Sequence, residues 1–222
     1  HSCKWDKLTS EFERIGSDKK LISQPTNPLL LQVDNEADFA AADLRILIFG
    51  QETNGWFEMD DTLESILDAY GDFYNKEKCF SYGGQFWNGF SRFITLVSKH
   101  FPNKKARFLW DNIVKIGKSE GKGFPPDYVY KMEREHFSVI KEEIKIIKPN
   151  VIVFLTGPNY DFVIKDNFGE LPRQALTPFS ERQISKIQFP GVDNVFRTYH
   201  PNYLWRNDID SYFERIIKEI KI

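Results

Sequence analysis

Three polar side chains with catalytic potential follow short apolar segments of strand length in this chain. Glu52 comes after LRILIF and Gly50, Asn112 comes after RFLW, and His200 comes after VFRTY. In an open parallel sheet, ligands bind in the crevice at the carboxyl ends of the strands. We therefore expect a carboxylate, an amide and an imidazole to converge on one pocket, where they could bind a small molecule or a base.

The elements that must position these groups alternate along the chain. Apolar runs predict buried strands at 44–49, 107–110, 151–155 and 195–199. Helical patterns occupy 5–15, 62–70, 85–101, about 127–147, about 158–166 and 209–222, and a looser segment of β character precedes the last strand. This alternation predicts an α/β fold: a three-layer α/β/α sandwich around a mainly parallel four-stranded central sheet.

Length and composition favour one domain without a metal or a cofactor. The 222 residues suit a single domain, and we expect residues 1–43 to form a helical extension packed on it. Cys3 and Cys79 are too few for a disulfide framework, a CxxC metal site or an iron–sulfur cluster. Neither GxGxxG nor GxxxxGK[ST] follows a strand, which disfavours dinucleotide and nucleoside triphosphate chemistry. Without a membrane span or a signal peptide pattern, we expect a soluble, cytoplasmic monomer.

Charge is unevenly distributed, although the net charge is only −2. Residues 52–77 carry eight acidic side chains and one lysine, whereas residues 99–122 carry seven basic side chains and two acidic ones. Lys115 and Lys118 lie in the basic stretch close to Asn112, where they could contact a phosphate backbone. The alternative is that these lysines are simply solvated.

Read together, the motifs resemble those of the uracil-DNA glycosylase superfamily, in the same order, over roughly residues 44–222. The first, G-Q-E-T-N-G after a strand, resembles the G-Q-D-P-Y motif of that family. The others are Cys79-Phe80-Ser81, which resembles the segment with the base-stacking aromatic; Gly84 to Asn88, which resembles G-x-x-F-W; Asp111-Asn112; Lys148-Pro149 before VIVFLTG; and His200 to Leu204, which resembles H-P-S-P-L.

The resemblance implies a monofunctional DNA N-glycosylase, a hydrolase that excises uracil or a related deaminated or mismatched base in base-excision repair. His200 would donate a hydrogen bond to O2 of the leaving base, most effectively as a neutral imidazole. Glu52 would orient water and stabilise the cationic sugar. Asn112 would pair with N3–H and O4 of uracil. No Lys in the motif loops suits Schiff-base attack, although Lys115 stays an open alternative.

The same resemblance predicts how the base and the DNA are held. Main-chain amides around Gly50 and Gln51 would bind the edge of the base, and Phe80 would stack on it after flipping. Leu204 would fill the vacated space in the duplex, with Tyr203 and Trp205 beside it. Phosphate contacts are expected from Arg206 and Arg197. The expected partner is therefore DNA containing uracil or a deaminated base.

Departures from the family pattern keep other functions open. Glu52 replaces the family's Asp, Thr53 its Pro, and Asn54 the Tyr that excludes the thymine methyl group. One alternative is a catalytically silent module that binds nucleic acid or protein, and another is a hydrolase of nucleosides or nucleotides. Structural roles are also open: His200 could cap a loop, Glu52 could be an exposed loop carboxylate, Asn112 could be a turn residue and Phe80 could belong to the core.

Overall fold

The computed structural model describes residues 2–16, 23–56 and 62–222. Two parts of the sequence interpretation therefore lie outside the described residues: 17–22 of the amino-terminal extension and 57–61 of the acidic stretch. None of the described helices combines the length and apolar character needed to cross a bilayer.

A six-stranded sheet forms the centre of the described structure. Its strands are β1 (Leu44–Asn54), β2 (Ala106–Lys118), β3 (Val151–Phe154), β4 (Arg173–Ala175), β5 (Ile184–Ile187) and β6 (Asn194–Thr198). They lie in the order β2-β1-β3-β6-β5-β4. The first four strands of this order are mutually parallel, which confirms the predicted mainly parallel sheet. The looser β segment adds the antiparallel pair β4 and β5 at the edge of β6.

Ten α-helices surround this sheet in the described part of the chain. They are α1 (Ser2–Gly16), α2 (Glu36–Ala40), α3 (Leu63–Tyr70), α4 (Lys78–Tyr82), α5 (Gln85–His100), α6 (Asp127–His136), α7 (Ile140–Ile147), α8 (Asp161–Phe168), α9 (Pro201–Leu204) and α10 (Ile209–Glu219). A π-helical turn, Gly71–Asn75, continues α3, and a 3-10 turn, Pro158–Tyr160, precedes α8.

Helices cover both faces of the sheet, as the three-layer prediction requires. Phe90 of α5 packs on Phe108, which lies beside Ile46 of β1. On the other side, α8 packs on Phe154, which lies beside Phe49 of β1. Ile46 and Phe49 are an odd number of residues apart, so their side chains point to opposite faces of the strand. The α/β/α sandwich is therefore confirmed.

β1 and β2 continue beyond their apolar runs, so the motif residues predicted in loops lie in paired strands. Gly50 lies opposite Asn112, and Glu52 lies opposite Val114. Thr53 Oγ1 donates a hydrogen bond to the carbonyl of Lys115 at 2.7 Å. Only glycine fits at position 117, because a Cβ there would collide with the carbonyl oxygen of Thr53. This close approach keeps the two strands together past their apolar segments.

The long helix predicted at about 127–147 is two helices, α6 and α7. Phe137 and Val139, in the break between them, are both buried. Residues two apart point to different sides of a helix, so an unbroken helix would expose one of them. The helical pattern was correct locally, but burial of both side chains interrupts it.

The amino-terminal helix packs on the domain through a second apolar cluster. Leu8 and Phe12 of α1 belong to this cluster together with Ile116 of β2 and Val129 and Met132 of α6. The helix thus lies against the far end of the strand that carries Asn112.

Candidate active site

A cavity of about 480 Å³ opens at the carboxyl ends of the parallel strands. It is lined by Gln51, Thr156, Gly157, Pro158, Asn159, Arg182, Tyr199, His200 and Tyr203. The lining comes from β1, from the segments that follow β3 and β6, and, at Arg182, from the segment between β4 and β5. Gln51 Nε2 donates to the carbonyl of Thr156 at 2.7 Å, which connects two of these segments. Of the three residues expected to converge here, His200 lines this cavity, together with Gln51 and Tyr203, whereas Glu52 and Asn112 do not line it.

His200 caps the short helix α9 and lines the cavity at the same time. Its Nδ1 accepts a hydrogen bond from the backbone N–H of Asn202 at 3.1 Å. Burial lowers the pKa of His200 to about 4, so the imidazole is neutral near pH 7. Because Nδ1 is the acceptor, the proton of the neutral ring is on Nε2. The capping interpretation and the catalytic one are therefore compatible, since one nitrogen caps the helix and the other is a donor.

Asn112 lies beside Gly50 on the neighbouring strand and is almost completely buried. A Cβ at position 50 would collide with Oδ1 of Asn112 and would lie 3.2 Å from the ring of Phe86. The same Phe86 ring stacks on His200, with a centroid separation of 5.8 Å and an interplanar angle of 28°. Asn112 does not line the cavity itself. The glycine at position 50 is required by this close packing.

A buried ion-pair cluster lies behind Asn112. Asp111 Oδ1 accepts the backbone N–H of Asn112 at 2.8 Å and also binds Lys115 Nζ. The ammonium group is 2.7 Å from Glu143 as well. Burial by itself would lower the pKa of Lys115, but attraction to Asp111 and Glu143 outweighs it and raises this pKa. The prediction that Lys115 contacts DNA is therefore wrong, because its side chain is fully buried. The alternative that Lys115 forms a Schiff base is also disfavoured, because a charged lysine is not a nucleophile.

Glu52 is buried, which corrects the picture of an exposed loop carboxylate. Burial raises its pKa, while a hydrogen bond from the hydroxyl group of Tyr160 and the attraction of Lys118 oppose this rise. Glu52 does not line the cavity, so the structure does not bring it into the same pocket as His200. Sequence reasoning missed Tyr160, which comes from the 3-10 turn after β3. No spacing pattern marks this tyrosine, because only the pairing of β1 with β3 brings it near Glu52.

Phe80 packs within an aromatic cluster on α4 and α5. Its ring lies edge-on to Trp87 and to Phe90, each at a centroid distance of 6.0 Å. Among the described residues, the ring that stacks on His200 is Phe86 rather than Phe80. Phe80 is nevertheless only half-buried.

Of the residues predicted to contact DNA at the end of the chain, some are exposed and one is buried. Leu204 is fully buried, so the expectation that it enters the duplex is contradicted in this conformation. Its neighbours Tyr203 and Trp205 are 36% and 41% exposed. Arg206 is also exposed, where its Nε donates to the carbonyl of Asn202 at 3.1 Å. The exposed surface beside the cavity is therefore aromatic and basic.

Two further basic residues differ in their surroundings. Arg197 is buried and pairs with Asp161 at 3.0 Å, so the expected phosphate contact from Arg197 is wrong. Lys118 is half-buried at the end of β2, where its charge acts on Glu52. Within the protein, Lys118 contributes to the site through its charge. Its contact with DNA stays a prediction.

Comparison with family models gives a match to the uracil DNA glycosylase superfamily over residues 37–221. A comparison with curated proteins found no match. The matched range contains all six strands and every candidate site residue, whereas α1 lies outside it.

Proposed function

Because the chain belongs to the uracil DNA glycosylase superfamily, we propose that it is a monofunctional DNA glycosylase of base-excision repair. Family membership supports DNA glycosylase chemistry in general, and the proposed substrate is uracil or a related deaminated or mismatched base in DNA. The observation that carries the proposal is His200, which is half-buried, neutral and located in a cavity at the strand ends. A neutral imidazole at this position suits the departure of a base that becomes negatively charged.

His200 stabilises the leaving base in this mechanism. As the bond between N1 of the base and C1′ of the sugar breaks, negative charge develops on O2 of the base. The Nε2–H group of neutral His200 donates a hydrogen bond to that oxygen. A preorganised donor stabilises such charge without reorganisation during the reaction. Because Asn202 occupies Nδ1, the donor nitrogen is already defined before substrate binds.

Glu52 acts on the sugar in this mechanism. The sugar left behind has oxocarbenium character at C1′, and water completes the hydrolysis there. The ionised carboxylate orients the water and accepts one of its protons as the new C–O bond forms. The hydroxyl group of Tyr160 binds one carboxylate oxygen, Oε2, and we assign the water to the other, Oε1. This role requires substrate to reach Glu52 from the neighbouring cavity, since Glu52 does not line it.

Asn112 reads the base in this mechanism, since its amide has both a donor and an acceptor. This role requires the base to reach Asn112 from the cavity, because Asn112 does not line it. Uracil offers N3–H as a donor and O4 as an acceptor, which the amide can match. Cytosine offers an acceptor at N3 and a donor at N4, so it would leave both groups of a correctly oriented amide unpaired. Asp111 accepts the backbone N–H of Asn112 and so holds the residue in place.

We expect Asn112→Asp to weaken uracil excision by roughly tenfold or more and to improve the relative excision of cytosine. An ionised aspartate cannot donate to O4 of uracil, but it can accept from N4 of cytosine. The measurement is single-turnover excision from matched oligonucleotides with uracil or cytosine. Asn103→Asp is the control, because Asn103 is exposed and the substitution adds the same charge. An unchanged preference for uracil in Asn112→Asp would contradict base reading by Asn112.

Tyr203 takes the place predicted for Leu204 at the DNA surface. Tyr203 lines the cavity, is partly exposed and packs against the tilted ring of Tyr199 at a centroid distance of 4.1 Å. If it fills the space left by a flipped base, Tyr203→Ala should reduce excision from duplex DNA about tenfold more than excision from single strands, where no stack must be filled. Excision rates on the two substrates test this. An equal loss on both would show that Tyr203 does not enter the duplex.

The proposed activity is tested with labelled oligonucleotides that carry uracil, hypoxanthine, xanthine or a G·T mismatch. Each is incubated at low salt in single- and double-stranded form, and strand scission is assayed with and without alkali. A monofunctional glycosylase yields scission only after alkali. Absence of any product, with salt-dependent DNA binding retained, would instead indicate a catalytically silent binding module. Base release from free nucleosides alone would indicate a nucleoside hydrolase.

A further inference from the structure

Glu52 and Tyr160 form a buried pair across the carboxyl ends of β1 and β3. They are 108 residues apart in the chain, and the hydroxyl group of Tyr160 donates to Oε2 of Glu52. Both side chains are buried. The ring of Phe124 lies against Tyr160 at a centroid distance of 5.8 Å. Packing thus restricts the phenol ring, and the hydroxyl group is held on the carboxylate.

The direction of this hydrogen bond follows from the charges around it. Burial raises the pKa of Tyr160 well above its ordinary value, and the neighbouring Glu52 raises it further. The phenol therefore stays protonated and is the donor. The other groups that act on Glu52 are Lys118 by its charge and Asn54 and the Gly123 backbone by hydrogen bonding, and all favour the ionised carboxylate.

We propose that Tyr160 is a positioning residue for Glu52, whose hydroxyl group orients the carboxylate so that its second oxygen faces the attacking water. This inference rests on the proposed function, because it gives Tyr160 a task only if Glu52 orients water. Burial raises the pKa of Glu52 and so disfavours the ionised form that the reaction needs. The hydrogen bond from Tyr160 opposes that effect. The hydroxyl group of Tyr160 thus both orients the carboxylate of Glu52 and favours its ionised form.

Tyr160→Phe removes only the hydroxyl group and is the direct test. Glu52 acts as a carboxylate, so excision should fall as the pH drops through the pKa of Glu52. Without the Tyr160 hydrogen bond this pKa rises further, and the acid limb of the pH–rate profile should move to higher pH by about one unit. Excision on the plateau should also fall roughly tenfold, because the water is less well oriented. Single-turnover excision between pH 4 and 9 measures both effects.

Tyr130→Phe is the matched control. Tyr130 belongs to the same aromatic group, packing against Phe124 at 4.9 Å, but its hydroxyl group binds Asp166 at 2.8 Å. Loss of that hydroxyl group should leave the pH–rate profile in place. Thermal unfolding of both variants shows whether either change acts through stability alone.

A titration of the Glu52 carboxyl carbon by NMR separates this inference from the proposed function. Its midpoint should move up in Tyr160→Phe and not in Tyr130→Phe, and Glu52→Gln identifies the signal and should abolish the acid limb due to Glu52. An unmoved midpoint in Tyr160→Phe overturns the inference while the excision activity stands. A moved midpoint with unchanged excision also overturns it, because the pair would then be structural only. Absence of excision by the wild-type protein overturns the proposed function, and with it any catalytic task for Tyr160.

Discussion

His200→Ala should lower the rate of base release by on the order of 10²- to 10³-fold and leave DNA binding nearly intact. The imidazole acts on charge that exists only as the glycosidic bond breaks, so its loss affects the transition state and not the bound substrate. Burial keeps the pKa of His200 at about 4, so the donor is neutral and the wild-type rate should not respond to His200 between pH 6 and 8. Single-turnover excision and binding to the same DNA measure the two quantities.

Two controls separate the catalytic nitrogen from the capping nitrogen. His200→Ser offers an oxygen that can still accept the N–H of Asn202, so helix α9 keeps a cap while the Nε2 donor is lost. We expect this variant to be as slow as His200→Ala. His100→Ala, at the exposed end of α5, should excise at the wild-type rate. Wild-type activity in His200→Ala would rule out His200 as the donor to the leaving base.

Lys115→Met should destabilise the folded protein by about 3–5 kcal/mol, as is typical when one partner of a buried ion pair is removed. Asp111 would lose the cation that compensates its burial, and its Oδ2 already has no hydrogen-bond partner. Urea denaturation monitored by fluorescence gives the free energy of unfolding. Lys76→Met is the matched control, because Lys76 pairs with Asp72 at 3.0 Å at the exposed surface. Such a pair is worth at most about 1 kcal/mol.

The destabilisation of Lys115→Met should shrink as the pH falls. Burial raises the pKa of Asp111 well above its ordinary value, and Lys115 opposes this rise. Without Lys115 the carboxyl group takes up a proton in the folded state at a pH where it is still ionised in the unfolded state. Proton uptake by the folded state increases stability on acidification. If Lys115→Met lost no more stability at pH 7 than Lys76→Met, the charge of Lys115 would not stabilise the buried cluster.

The amino-acid sequence by itself determined the fold and the order of the motifs. Strand β3 is a continuous apolar run, and β1, β2 and β6 are rich in apolar residues, which is typical of strands buried on both faces. The helical spacing of apolar residues likewise located α5 and α10. These patterns are local, so they can be read without knowledge of the tertiary contacts. The position of His200 just after β6 followed from the same local signals, whereas Asn112, expected at a strand end, lies in the middle of β2.

Only the tertiary structure decided which of the polar and apolar residues beside these strands are exposed. Lys115 is adjacent in sequence to candidate site residues, yet Asp111 and Glu143 enclose it in the interior. Leu204 follows His200 in the motif, yet it is buried and Tyr203 lines the cavity instead. Tyr160 reaches Glu52 only because β1 pairs with β3. Burial and hydrogen bonding of these side chains depend on partners far away in the chain, and no local pattern of residues specifies such partners.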